Sequence, residues 1–211
     1  MVMKKTTMFV IGIIVLSFII SGYLYPMMPD QFASHWNAQG QVDGYVHKSV
    51  GLYIMPAISL IVLGMLLLGP KIDPLRKNIK KFENYYHGFI ILITLFLFYI
   101  YILTVLWNLD YWFNMTIMII PAFVILFYYI GILLDNAKPN WFIGIRTPWT
   151  LSNKKVWEKT HKLGAKMFKA SAVIALLGMI FDDYGIVLVI VPVLFSSMYT
   201  LIYSYIEYRK L

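Results

Sequence analysis

The chain has no cysteine, and only 13% of its 211 residues are charged. The first absence excludes disulfides, thiol catalysis and thiolate metal sites. The second leaves six long stretches with no charge at all: Thr6 to Tyr25, Ser49 to Pro70, Gly88 to Trp107, Tyr111 to Leu134, Ala170 to Phe181 and Tyr184 to Ile206. Most reach the roughly 20 residues that cross about 30 Å of hydrocarbon. Apart from Lys169, no ionisable side chain sits deep in any of them, whereas ion-coupled pumps and transporters need one, so coupled transport is disfavoured. The motifs GxSxG, HExxH and the P-loop are also missing, and His87, beside Tyr85 and Tyr86, reads as an interfacial anchor. No enzyme and no cofactor are expected.

What is present is 60% hydrophobic residues, with the basic ones confined to alternate loops. In lipid every backbone polar group must be satisfied within the chain, which selects helices. The expected fold is all-α, a polytopic membrane protein with six transmembrane helices in a single membrane domain over residues 1–211. Of the 18 Lys and Arg residues, all but Lys48 fall at the start, in the loop with Lys71, Arg76, Lys77, Lys80 and Lys81, between Lys138 and Lys169, or in the tail with Arg209 and Lys210. By the positive-inside rule both termini are cytoplasmic and the protein is a multi-pass cell-membrane protein. The net charge of +8 then reports topology, and no direct nucleic-acid contact is expected. Residues 26–48 form an outer loop, 70–87 a cytoplasmic loop, and 135–168 a cytoplasmic motif loop with an amphipathic helix.

The fifth stretch is too short to cross unless its helix begins near Met167 with Lys169 snorkelling to the interface. Asp182 and Asp183 then make an acidic outer turn, as residues Asn108 to Trp112 do between the third and fourth spans. An Ile, an apolar residue and Pro recur at Ile54-Met55-Pro56, Ile119-Ile120-Pro121 and Ile190-Val191-Pro192. They are read either as a threefold hairpin repeat with facing kinks or as the ordinary proline content of membrane helices.

Two segments carry the candidate chemistry. The outer loop runs Pro29-Asp30-Gln31-Phe32-Ala33-Ser34-His35-Trp36-Asn37-Ala38-Gln39-Gly40-Gln41-Val42-Asp43-Gly44-Tyr45. Its glycines permit tight turns and its aromatics suit the headgroup layer. It reads either as an interfacial loop or as a concave ligand patch, with His35, Trp36, Asn37, Gly40, Asp43, Gly44 and Tyr45 as contacts. His35, Asp43 and His47 are zinc-ligand types, but sequence proximity does not make ligands converge, and no metal is expected. The second segment is Asn140-Trp141-Phe142-Ile143-Gly144-Ile145-Arg146-Thr147-Pro148-Trp149-Thr150-Leu151-Ser152. One guanidinium among indoles and hydroxyls suits either anion recognition or membrane seating. Ser152 is expected to cap the next helix, whose polar face carries Lys154, Glu158, Lys162, Lys166 and Lys169, with Glu158 and Lys162 as an i,i+4 pair. Its other face carries Trp157, Thr160, Gly164, Met167 and Ser171. The partner-binding candidates of this region are Asn140, Gly144, Arg146, Thr147, Trp149, Thr150, Trp157 and His161.

Together these segments resemble the SdpI family of bacterial toxin-immunity membrane proteins. The outer loop, from Pro29 through His35-Trp36-Asn37, Gly40 and Asp43-Gly44-Tyr45 to Pro56, is similar to the domain of unknown function that opens many members. Asn140 to Thr150, continuing through Val156-Trp157, Thr160-His161 and Gly164, is similar to the family's Ile-Gly-Ile-Arg-Thr-Pro-Trp-Thr signature and the helix after it. The resemblance covers essentially the whole chain. It implies immunity to a secreted hydrophobic peptide toxin. It also implies a second role as a signal transducer that holds a small cytoplasmic DNA-binding repressor at the membrane. The expected partners are therefore the toxin, that repressor and the lipid bilayer. The alternative reading is a small-molecule transporter or membrane enzyme with an anion site at the Arg146 loop.

Overall fold

The computed structural model describes residues 2–211, and of these the side chains of residues 2–4 and Asp182 are left undescribed. The expectations placed on the Lys4 and Asp182 side chains therefore lie outside the described ones. The long helices are α1 (Val2–Leu24), α2 (Lys48–Ile72), α4 (Glu83–Asn108), α5 (Met115–Asn136), α7 (Lys154–Leu177) and α8 (Gly185–Arg209). Two short ones, α3 (Arg76–Ile79) and α6 (Pro148–Ser152), sit in the connections. Among the described residues five helices are long and apolar enough to cross a membrane, and α7 is not one of them because of its charged first half.

The helices form two groups joined along α4 and α5. In one, α1 and α2 pack on α4 and on each other; in the other, α7 packs on α5 and α8. Connections collect at two ends. One, the hairpin end, holds residues 25–47, 109–114 and 178–184; the other, the basic end, holds residues 73–82 and 137–153. Helix α7 runs antiparallel to both its neighbours from end to end. Near the basic end Lys159 pairs with Glu207 of α8 at 2.5 Å, midway the Ser171 and Ser196 hydroxyls meet at 2.9 Å, and at the hairpin end Gly178 abuts Gly185. Small residues permit this: a Cβ on Gly131 of α5 would lie 2.8 Å from the Ala165 carbonyl oxygen of α7 and 2.7 Å from the Lys169 stem. In membranes such close backbone approach takes over the part that apolar burial plays in water. Over Gly131 the Lys169 chain runs toward Asp135, reaching 3.9 Å from its carboxylate, one turn nearer the basic end.

Two local expectations are corrected. The cap of α7 is Asn153, whose Oδ1 accepts from the amides of Lys155 and Val156, while the Ser152 hydroxyl donates to the Trp149 carbonyl. Asx oxygens reach the N2 and N3 amides readily, and Asn153 has the extended backbone a cap requires. The i,i+4 ion pair is Lys154 with Glu158, at 3.8 Å, in place of Glu158 with Lys162.

The outer loop is not irregular but a two-stranded antiparallel hairpin, β1 (Gln31–Trp36) with β2 (Val42–His47), bulged near Ser34 and Asp43. An isolated hairpin is marginal in water, and this one is held by the helix ends. Asn108, the last residue of α4, serves β1 as a third strand would: its Oδ1 accepts from the Ala33 amide at 2.7 Å and its Nδ2 donates to the Ala33 carbonyl at 3.0 Å. Phe32 is fully buried with its ring on Gly51 of α2, where a Cβ would overlap it. At the turn, Gly40 has φ +76° and its missing Cβ leaves room for Asn114, the N-cap of α5, which also donates to the Gln39 carbonyl.

Replacing Asn108 with Ala leaves the buried Ala33 amide and carbonyl unpaired. The expected cost is about 1–3 kcal/mol, read as faster hydrogen exchange confined to the amides of β1 and β2 while the amides of α7 keep their protection.

Candidate functional site

The two motif segments each roof a groove between the helix groups. At the hairpin end a groove of about 670 Å³ lies under β1, with Ile54 and Ile58 of α2 on one side and Ile119 and Phe123 of α5 on the other. Ile100 and Thr104 of α4 also line it. Polar residues in the lining are Ser34, His35, Trp36 and Asn37 of the roof, with Thr104 of α4 and Thr116 of α5. Trp36 packs edge-on against Trp107 with ring centres 5.8 Å apart, and its buried Nε1 has no hydrogen-bond partner. An indole N–H without an acceptor in so apolar a setting favours a ligand that brings a carbonyl oxygen.

The other outer-loop candidates are divided. His35 Nδ1 lies 2.5 Å from Asp43 Oδ1 on the exposed side of the hairpin. Asn37 shapes the turn, its Oδ1 accepting from the amides of Gln39 and Gln41. Gly44 faces His35 across the strands, where a Cβ would come within 2.9 Å of the His35 Cβ. Tyr45 is exposed and lines a separate shallow depression with Asp30, Gln31 and His47. Lys48, the basic residue at this end, pairs with Asp30 at 2.9 Å and holds that carboxyl below its ordinary range. His47 turns away from His35 to cap α2 through Ser49, and among the described residues no three His, Asp or Glu converge as metal ligands.

At the basic end a groove of about 500 Å³ is roofed by residues 142–146, with Leu66 of α2, Phe89 of α4, Ile130 and Leu134 of α5, and Thr200 of α8 among its walls. The motif loop owes its shape to buried polar residues. Asn140, wholly buried, spends all its capacity locally: Nδ2 donates to the carbonyls of Lys138 and Ile143, and Oδ1 accepts from the amides of Phe142 and Ile143. Asp73, at the end of α2, accepts from the amides of Leu75 and Trp141 and so ties the loop to the other helix group. Phe142 seats on Gly69 of α2. Thr147 and Thr150 form a reciprocal capping box on α6, and the Thr147 hydroxyl meets Ser204 of α8 at 3.0 Å.

His161 is buried beneath the loop. Its Nε2 accepts from the Ile145 amide at 3.0 Å, so Nδ1 carries the proton and donates to the Trp157 carbonyl at 2.9 Å. The ring stacks on Trp157, whose Nε1 donates to the Ala137 carbonyl. Gly144 passes over this ring with φ +112°, where a side chain would be strained and would overlap His161. Burial lowers the His161 pKa to about 4. Thus Asn140, Thr147, Thr150, Trp157 and His161 build the loop from inside. Arg146 is exposed at the groove rim, donating to the Trp141 carbonyl at 2.8 Å and free at its other nitrogens of any acceptor described; Trp149 packs half-buried on Tyr205.

The family model described as SdpI/YfhL matches residues 136–204, which span the motif loop, α6, α7 and most of α8. By that segment the chain resembles the SdpI/YfhL protein family. A second model, a domain of unknown function named DUF1648, matches residues 12–60 and takes in the hairpin. Over its full length the chain is similar to the immunity protein SdpI of Bacillus subtilis (strain 168), 29% identical across 99% of this chain and 98% of that one. No solved structure matches it. The two matched segments coincide with the roofs of the two grooves. The residues that sequence reasoning passed over are Asp73, Asn114 and the contact glycines Gly51 and Gly69, and Asn108 reads in the sequence only as part of a turn. Their partners lie far along the chain.

His161 gives the loop a pH dependence with a definite sign. Its pKa is lower folded than unfolded, so between about 4 and 6.5 the unfolded chain binds the additional proton, and stability rises with pH across that window and falls as pH drops. Melting temperature in detergent is expected to fall from pH 7 to pH 4.5, by up to about 3 kcal/mol in stability. In His161→Phe the slope through that window flattens.

Proposed function

We propose that this chain is a membrane immunity protein that intercepts a secreted hydrophobic peptide at the groove under the hairpin and acts by binding, without catalysing a reaction. The observation that carries the reading is the full-length likeness to a protein named for immunity. The groove supplies a physical route. A peptide already dissolved in the bilayer meets apolar walls, including the exposed Ile54 and Ile58, and little is gained or lost by exchanging lipid for those contacts. Selectivity then rests with the polar roof, where Trp36 Nε1 has a hydrogen bond to give and His35 and Asn37 stand beside it.

In this reading α7 is a sixth crossing and both termini are cytoplasmic. Its end-to-end packing on α5 and α8 supports the crossing, and the concentration of Lys and Arg at one end supports the sidedness. The motif loop then faces the cytoplasm, and its exposed Trp141 and Arg146 offer a docking point for a small repressor protein. Asp73 and the Phe142 seat on Gly69 couple that loop to α2, the same helix that walls the outer groove.

The test is survival of toxin-sensitive cells expressing the chain, challenged with a panel of secreted membrane-active peptides. The wild type is expected to protect against one of them. Trp36→Phe, which keeps the packing but loses the N–H, should require about tenfold less peptide to kill. Arg146→Ala should protect normally and lose only transcriptional induction. No protection against any peptide at matched membrane levels would overturn the reading.

Topology is checked separately, and the absence of native cysteine makes the background clean. In intact cells a membrane-impermeant maleimide should label Asp182→Cys and Gln39→Cys, and should label Asn153→Cys only after lysis.

A further inference from the structure

A third cavity, of about 400 Å³, lies at the basic end between α2, α3 and α4, outside both matched segments. Its floor is apolar, with Leu66, Leu67, Ile79 and Ile90, and its rim carries Lys71, Arg76, Lys77 and Lys80 against the one carboxylate of Glu83. All four cations are exposed, and among the described residues none is within ion-pair distance of a carboxylate. A surface that only obeyed the positive-inside rule would scatter such charges without a cavity behind them. Here a buried polar atom sits behind the rim: His87, only 6% exposed, lines the cavity, and its Nδ1 has no hydrogen-bond partner. Tyr86 beside it is already engaged, donating to the Leu66 carbonyl at 2.5 Å.

Four unpaired cations over an apolar pocket with an unfilled imidazole nitrogen fit an amphiphile that carries a phosphodiester on a hydrocarbon tail. We infer that this cavity is a specific site for an anionic phospholipid. The headgroup phosphate sits among Arg76, Lys77 and Lys80, a headgroup hydroxyl meets His87 Nδ1, and an acyl chain lies against Leu66, Leu67 and Ile90. Basic pockets between membrane helices recognise anionic lipids in this way, with each cation near the surface adding to the attraction. Arg76 contributes a planar fork suited to two phosphate oxygens. A free phosphate shares the headgroup chemistry but has no use for the apolar floor, so the floor favours the lipid as the source.

The test uses the full-length protein, delipidated in detergent, with retained lipid read by native mass spectrometry after addition of phosphatidylglycerol, phosphatidylcholine or inorganic phosphate. Phosphatidylglycerol is expected to be retained about tenfold better than phosphatidylcholine, with inorganic phosphate failing to displace it. Arg76→Gln with Lys77→Gln should abolish that preference. Lys155→Gln with Lys162→Gln, which removes as much charge from the other basic face, should preserve it. His87→Phe should reduce retention of phosphatidylglycerol and leave phosphatidylcholine unaffected. Equal retention of both lipids would overturn the site. So would equal loss in the two double variants, which marks diffuse attraction, or displacement by inorganic phosphate, which marks a free-anion site.

Discussion

The basic end of the molecule depends on the close approach of α7 to α5 and α8. In lipid, burying one leucine against another gains little, so a helix with a charged first half must be held by backbone proximity and by polar pairs. Gly131, Gly164, Ala165, Ala172, Ala175 and Gly178 provide the proximity; Ser171 with Ser196 and Lys159 with Glu207 provide the pairs. The same helix carries Trp157 and His161 beneath the motif loop. Its alignment therefore sets the loop, and the loop in turn reaches α2 through Asp73 and Gly69.

A second constraint acts wherever the chain leaves a helix near lipid, because backbone amides and carbonyls there still need partners. A few side chains meet it. Asn108 completes β1, Asn114 caps α5 and holds the hairpin turn, Asn140 closes the motif loop on itself, and Asp73 secures two amides. These are short amides and a carboxylate, able to pair with two groups at once. Their repetition at both ends explains how irregular backbone persists against apolar helices.

The membrane class and the positions of the long helices were legible because charge and its absence act over whole segments. The hairpin was not. The alternation of Gln31 to Trp36 is broken by the bulge at Ser34, and the hairpin's stability comes from Asn108 and Gly51, which no local pattern reveals. In the motif loop, the sequence marks Asn140, Thr147, Thr150 and His161 as polar residues among apolar ones. Whether such a residue faces a partner or closes the loop depends on the amides around it, and here the amides of residues 142, 143, 145, 147 and 150 take them. Arg146 spends one nitrogen on the loop's own Trp141 carbonyl and is otherwise left at the surface.

The hairpin touches α4 along one strand and α5 at its tip, so it bridges the same gap that residues 109–114 bridge covalently. Two tethers across one gap make the α4–α5 seam a hinge post rather than an opening. The near end of α2 is held as firmly: it continues β2 directly at Lys48, whose amide donates to the Asp30 carbonyl and whose ammonium pairs with the Asp30 carboxylate, while Phe32 packs on Gly51. The groove is thus framed by the hairpin on both sides, and one side of that frame is the helix whose far end carries Gly69 and Asp73.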